Sequence, residues 1–421
     1  MRKRLFIGSQ LLLASVLTLS AQSSTKSPYS QFGLGILSER SQGMSRGMNG
    51  VGVALQSGDR VNTLNPASYG VVDSLTMIID ASITGQHTNF KEGGTRQNAK
   101  TASFDYIVAS FRAWRNIGVT LGVLPLTNIG YNYSTTSVNE QYGTITETYS
   151  GEGGLREAFL GVGWHIVKPL SVGINGGFVW GDLNRTGLES NSNISPLQKI
   201  YSASVRNYKL DAGIQWNQPI GRHDAITLGA TVGVGHKLNA DAKLDIININ
   251  KPDTTSFKAT DALELPWSWA VGLAWRHGES LTVAADAELQ QWGKTSFPVF
   301  DGNNYQTTKD QMKDRMKLNV GAEWTPDAND VRHYLKRVNY RIGAGICTPY
   351  YKINGQDGPK DISVSLGLGL PIQNKYNSRS VVNISGQWVH SSAKDFITEN
   401  MFRINVGITF NERWFAKWKV E

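Results

Sequence analysis

From Leu75 onward the chain alternates apolar with small or polar residues in runs of about eight to fourteen positions, the period of two that sends successive side chains to opposite faces of a strand. Trp267, Trp269, Val271, Leu273 and Trp275 fall on one face, and Ser268, Ala270, Gly272, Ala274 and Arg276 on the other. The same division sets Ile226, Leu228, Ala230, Val232 and Val234 apart from the residues between them. It recurs over 281–289, 362–370 and 402–410. About fourteen such segments predict strands, with ends uncertain by a few residues. They lie near 74–89, 99–114, 116–136, 143–167, 170–185, 200–217, 224–241, 257–277, 280–293, 311–325, 337–351, 360–371, 379–391 and 401–410.

A soluble sandwich also alternates, but two features favour a barrel in lipid. Aromatic residues stand at the ends of the apolar faces (Trp267, Trp275, Trp324, Tyr350, Phe410), where an interfacial girdle belongs. Backbone groups in lipid must all be paired, so such strands have to close on themselves. The expected fold is therefore all-β, a transmembrane antiparallel barrel whose even strand number returns both ends to the periplasmic side. Polar stretches 186–199, 242–258, 294–310 and 327–336 are expected as long outer loops. Arg115-Asn116, Lys168-Pro169 and Gly278-Glu279 are expected as tight periplasmic turns.

Composition supports the same class. Charged residues make up 18% and glycine 44 of 421 positions, against about 25% and about 7% in ordinary soluble domains. A single cysteine excludes a disulfide scaffold and a cysteine-rich zinc domain. Arg2, Lys3 and Arg4, an apolar stretch to Leu19, and Leu19-Ser20-Ala21 before Gln22 read as a cleavable secretory signal over 1–21. No stretch is long and apolar enough for a helical membrane span. The formal net charge is +8, three of it in that leader, and spread so thinly it does not indicate nucleic acid. The expected location is the outer membrane of a Gram-negative bacterium, in contact with its lipid. The expected division is signal 1–21, an N-terminal module 22–73, a barrel 74–410, and a basic, aromatic tail 411–421 suited to the periplasmic headgroup zone.

The N-terminal module departs from the strand texture. It runs Phe32-Gly33-Leu34-Gly35, then 43–54 with four glycines among small residues, then Asn62-Thr63-Leu64-Asn65-Pro66-Ala67. Small residues let a plug pack close to a barrel wall. This string resembles the hatch of the OMPP1/FadL/TodX family of outer-membrane hydrophobic-compound transporters. Further matches are Leu265-Pro266-Trp267-Ser268 with Gly272 and Trp275, Arg315–Leu318 with Gly321–Trp324, and Tyr340–Gly343. The resemblance implies fourteen strands, a lumen filled by the hatch (Arg46, Gly47, Asn65, Pro66 and Ala67 among its residues), and a hydrophobic ligand of the long-chain fatty-acid kind. It also implies hatch movement and lateral exit at a kink in the third strand. That strand carries Pro125, which cannot donate to a ladder and so marks a bulge or a gap. The opening is expected beside Leu124, Pro125 and Asn128.

Other motifs have blander readings. Gly43-Met44-Ser45-Arg46-Gly47 matches a nucleophile elbow but lacks the strand–turn–helix setting that chemistry needs. The seven histidines are scattered without ligand spacing. Neither a metal, another cofactor nor an enzymatic activity is therefore expected. Cys347 should face the lumen with Arg341, Gly343 and Gly345. Arg46, Asp59 and Arg60 are expected to pair with lumen charges such as Asp286, Glu288 and Glu323, since charges in a narrow lumen need partners. Two functions fit the pattern. The first is passage of a hydrophobic small molecule. The second is a non-transporting barrel of this fold, a subunit with other envelope proteins in a secretion or barrel-assembly complex; relatives of the family serve that way in type IX secretion. A continuous apolar tunnel from the loops to Pro125 would favour the first, and a filled lumen with an exposed apolar patch on the outer loops the second.

Overall fold

A computed structural model describes residues 25–139, 143–191, 194–251, 253–330, 332–372 and 380–412. The expected signal and most of the expected tail lie outside these residues. Fourteen antiparallel strands close into a barrel. They are β1 Met77–Glu92, β2 Thr95–Trp114, β3 Ile117–Pro125 continuing as Thr127–Asn139, β4 Gly143–Val167, β5 Leu170–Asn191, β6 Ile194–Ile220 and β7 Asp224–Gly233. They continue as β8 Ser268–His277, β9 Leu281–Gln290, β10 Arg315–Trp324, β11 Asn339–Cys347, β12 Lys360–Pro371, β13 Val381–Ser392 and β14 Thr398–Glu412. Consecutive strands pair, and β1 closes on β14 from Met77↔Glu412 to Lys91↔Thr398. The last strand thus runs two residues beyond the expected Phe410.

The alternation sorts as the period of two requires. Trp269, Val271, Leu273 and Trp275 of β8, Ile362, Val364, Leu366 and Leu368 of β12, and Phe402, Ile404, Val406, Ile408 and Phe410 of β14 all point outward and are exposed. The residues between them point into the lumen. Trp267, Trp275, Trp324 and Phe410 are exposed at the ends of this apolar band. Tyr350 is not among them: it is buried, its ring centroid 4.8 Å from that of Trp292 and its hydroxyl donating to the Gly35 carbonyl. β11 ends at Cys347, and Pro349, with no N–H to extend the ladder, is where the chain turns inward.

Polarity marked the connections but not their conformation or side. Within 186–199 and 242–258, residues 186–191, 194–199, 242–248 and 253–258 continue as strand: Ala242–Asn248 pairs with both Asp253–Ala259 and Leu197–Ala203 of β6, carrying the sheet beyond the apolar band. Segment 294–310 contains a small hairpin, Phe297–Phe300 with Tyr305–Thr308. Segment 327–336 belongs to the end with the tight turns, not to the long-loop end. Thr325 N donates to Ser280 O at 2.7 Å, and Tyr334 OH to Pro371 O at 3.2 Å. Strand parity decides the side: this connection follows a strand that runs from the loop end down to the turn end.

Residues 25–73 lie inside the ring of strands, with the turn Gly43–Gly47 and 3-10 turns at Pro28–Gln31 and Pro66–Val71. Wall glycines make this fit possible. A Cβ on Gly173 of β5 would stand 2.6 Å from the Ala67 nitrogen, and one on Gly343 of β11 would stand 2.7 Å from the Asn49 nitrogen. On Gly367 of β12 it would stand 2.7 Å from Gly47 Cα. Gly229 and Gly321 meet Val53 and Met48 in the same way. A side chain at these positions must displace backbone, which costs about 1–3 kcal/mol of overpacking. We expect Gly343→Val to leave the heat-modifiable barrel intact while residues 43–54 become open to limited proteolysis; equal protection of this stretch in both proteins would contradict the packing.

Candidate functional site

The N-terminal segment is tied to opposite walls of the barrel. Asn65 caps the turn Pro66–Val71, its Oδ1 accepting from Ala67 N at 3.0 Å. Its Nδ2 donates to Val53 O at 2.8 Å and to Ile214 O of β6 at 3.2 Å. One side chain thus closes a helical turn and fixes it to the wall; a lost cap alone costs about 0.5–2 kcal/mol. Pro66 takes the first position of the turn, where its missing N–H is harmless. Ala67 is completely buried against β5. Gly47 packs on Arg341, and its carbonyl accepts from Ser365 Oγ at 3.0 Å.

Charges make the remaining ties. Arg46 reaches Asp105 of β2 at 3.3 Å and Thr84 of β1 at 3.2 Å, rather than the expected β9 and β10 carboxylates. Arg60 does meet Glu323 of β10 at 2.8 Å, and Glu323 also accepts from Arg341 of β11 at 2.6 Å. Asp59 lies beside Arg60 at 3.8 Å. Asp286 of β9 takes backbone instead of a cation, accepting from Gly52 N at 2.6 Å and Val53 N at 2.9 Å. Three anchors escaped the sequence reading. Glu39 pairs with Lys317 of β10 at 3.0 Å; Arg40 pairs with Glu157 of β4 at 3.2 Å; and Asn49 donates to Ser363 at 2.9 Å. Inward parity of Glu157 and Lys317 was readable from the alternation, but which plug residue each would meet was not.

A cavity of about 290 Å³ remains between this segment and the wall. Tyr29, Leu34, Trp292 and Tyr350 contribute apolar surface, but the lining also carries the carboxylates Glu39, Asp211, Asp286, Glu288, Asp361 and Glu399. Arg40, Lys209, Arg315, Lys317 and Arg403 face the same space. Desolvating so many charges around an apolar molecule would be costly. Towards the loop end the lumen is filled by Tyr29, Ile129, Tyr131, Leu183, Leu238, Trp292, Tyr350 and Tyr351, packed as one cluster. Ser45 is buried in the turn Gly43–Gly47, its carbonyl occupied by Met48 N and Gly50 N. Cys347 is buried on the lumen side.

The third strand is interrupted where proline implied. Pro125 is the last residue of its lower half, opposite Arg156 of β4. Leu126 leaves the regular ladder, donating to Leu155 O at 2.7 Å and accepting from Ser38 N at 3.0 Å. β4 yields beside it at Gly153 and Gly154, with φ of +117° and +132° that only glycine adopts easily. The β2–β3 ladder stops at Ile107↔Val123, while β2 still carries Phe104 and Ala102 of its outward row. Above that point β3 pairs with β4 on one side and with Ile36–Leu37 on the other. Asn128 faces Ile36, and its Nδ2 donates to Ser38 Oγ at 2.7 Å. Leu124 points inward, buried in a cluster with Tyr69, Tyr106, Val108 and Phe159. The wall is thus parted, and what stands in the parting is the N-terminal segment.

Burial favours a neutral Glu39, but Lys317 and Arg46 outweigh it and hold this carboxyl well below its ordinary value, at about 2. A depressed folded-state value means stability that is complete above the unfolded value and lost as pH falls through the folded one. The unfolding-temperature difference between wild type and Glu39→Gln should therefore hold above about pH 4.5 and shrink towards zero by about pH 2. Scanning calorimetry in detergent measures it; a difference that does not change with pH would contradict the pairing.

The fold has solved counterparts. The Ralstonia pickettii toluene transporter TbuX superimposes with a TM-score of 0.60 at 14% identity, covering 88% of this chain and 98% of its own. The Pseudomonas putida toluene transporter TodX gives 0.59 at 15% identity, covering 90% and 100%. A Pseudomonas aeruginosa FadL homologue gives 0.64 at 11% identity, covering 89% and 99%. At such identities the likeness is one of architecture alone, that of the barrel fold. No curated protein matches the chain. The resemblance to the OMPP1/FadL/TodX family therefore holds for the fold, whereas the family model that matches is a different one, BamG, and it does so over residues 1–421: the chain belongs to the BamG family.

Proposed function

We propose that this protein is a plugged outer-membrane barrel that works as a subunit of a larger envelope assembly, of the barrel-assembly or secretion kind, rather than as a conduit for a hydrophobic compound. The observation that carries this reading is the lumen. Its plug is tied to β1, β2, β4, β6 and β9–β12, and the space left over is ringed by charges from both parties. A binding site for an apolar molecule sets only a few oriented polar groups in an apolar lining; this cavity has eleven charged side chains among its apolar ones. Membership of the BamG family is compatible with the reading. In such a role the barrel supplies a rigid, membrane-anchored body, and recognition falls to its surfaces.

Passage of a long-chain fatty acid or similar molecule is the second reading, and one observation favours it. The β2–β3 parting beside Pro125 lies where a ligand would leave sideways into lipid. In that case Arg46, Gly47, Asn65, Pro66 and Ala67 belong to a hatch that must move, and Leu124 to the seal of the exit.

Native mass spectrometry of the protein taken from its own outer membrane in mild detergent separates the two. Under the subunit reading it is recovered in fixed stoichiometry with other envelope proteins, and Leu124→Arg leaves that recovery unchanged. A lone chain carrying fatty acid, with release of the acid lost on Leu124→Arg, would overturn the subunit reading in favour of transport.

A further inference from the structure

We infer that the lipid-facing surface of β1 and β2 just beyond the apolar band is a binding site for the phosphate group of an anionic membrane lipid at the loop end of the barrel. The inference rests on cross-strand register. Outward positions pair as Ile83↔Phe104, Gly85↔Ala102, His87↔Lys100, Asn89↔Asn98 and Lys91↔Arg96. Ile83 is 59% exposed, and Phe402 of β14, opposite His87, is 48% exposed, so the band reaches the His87 level and stops there. Lys100 stands at that level, and beyond the Asn89↔Asn98 pair the outward residues are the basic pair Lys91↔Arg96.

Lys91, Arg96 and Lys100 are exposed, and none forms an ion pair among the described residues. Two basic residues directly opposite one another repel across an antiparallel pair, so Lys91↔Arg96 works against folding unless an anion sits between them. At the foot of the cluster His87 Nδ1 is buried and lacks a hydrogen-bond partner. The carboxylates next to the patch in sequence or across the ladder do not neutralise it. Glu92 is at the hairpin tip with its parity towards the other face, and Glu399 is buried in the lumen. Guarding an open edge explains only half the set. Arg96 and Lys100 sit on the unpaired upper edge of β2, where charge discourages strand addition, but Lys91 and His87 belong to β1, which is paired on both sides.

The occupant follows from position. Lys91 lies four residues beyond His87, about 13 Å along the strand. Barrel strands tilt by about 40°, so this is about 10 Å along the membrane normal, just outside the headgroup layer, and the long Lys91 and Arg96 side chains reach back from there to the headgroup phosphates. Basic side chains near a membrane surface attract anionic lipid, and two of them flanking one phosphate add hydrogen bonds to the attraction. The site is independent of which proposed function holds, because it faces lipid and not the lumen.

The full-length protein in neutral detergent is offered phosphatidic acid or phosphatidylcholine with the same acyl chains, and retained lipid is counted by native mass spectrometry. Wild type should retain the phosphatidic acid at least about tenfold better. The triple variant Lys91→Ala, Arg96→Ala, Lys100→Ala should lose that preference while keeping its heat-modifiable barrel, and Lys91→Arg with Lys100→Arg should retain it. No preference in wild type, or an undiminished one in the triple variant, would overturn the site. Displacement of the lipid by an equal concentration of soluble glycerol 3-phosphate would overturn the assignment to a membrane lipid, because the patch would then read a free phosphate.

Discussion

Polar groups enclosed in a barrel have little water to turn to, and in this protein the wall and the N-terminal segment answer each other's needs. The segment is mostly irregular backbone, so it brings N–H and C=O groups that no ladder satisfies. Asp286 accepts two of those N–H groups, and Gln215 and Asn65 donate to the carbonyls of Val53 and its neighbours. In return the segment brings Arg46, Arg60 and Arg40 to the buried wall carboxylates Asp105, Glu323 and Glu157, and Glu39 to Lys317. Removing one partner of such a buried pair costs far more than the pair itself contributes. The arrangement therefore holds as a set.

The glycine content follows from the same constraint. A wall that must accept backbone at van der Waals distance cannot carry Cβ atoms there, so inward positions on several strands are glycine while their outward neighbours stay large and apolar. Ile342 and Gly343, or Leu366 and Gly367, show both demands on adjacent residues. The third strand shows the converse. Pro125 ends one ladder, β4 bends at two glycines, and the space that opens is taken by Ile36–Leu37 and Leu124. A break in the wall and the plug that covers it are one feature.

Much of this was legible beforehand, because the period of two is imposed by lipid on one side and the lumen on the other. It fixed the outward row of β8 and the lumen position of Cys347, while the missing N–H of Pro125 marked the interruption of β3. What alternation cannot carry is anything set by the third dimension. Tyr350 had the residue type of a girdle and lies over the lumen, since only the turn after Cys347 decides its direction. Segment 327–336 had the polarity of an outer loop and sits at the turn end, since parity and not composition assigns the side. Arg46 was expected to find a carboxylate, and it did, but Asp105 is far away in sequence and nothing local points to it. The family, too, came from the whole pattern of the chain and not from the hatch-like motifs.

Planar-bilayer conductance of the purified full-length protein tests the central claim, that the lumen is closed by the N-terminal segment, most directly. No steady ion conductance is expected from the wild type, and a stable, open pore is expected once residues 25–73 are deleted from an otherwise heat-modifiable barrel. A steady pore in the wild type, or a deletion variant that stays closed, would contradict it.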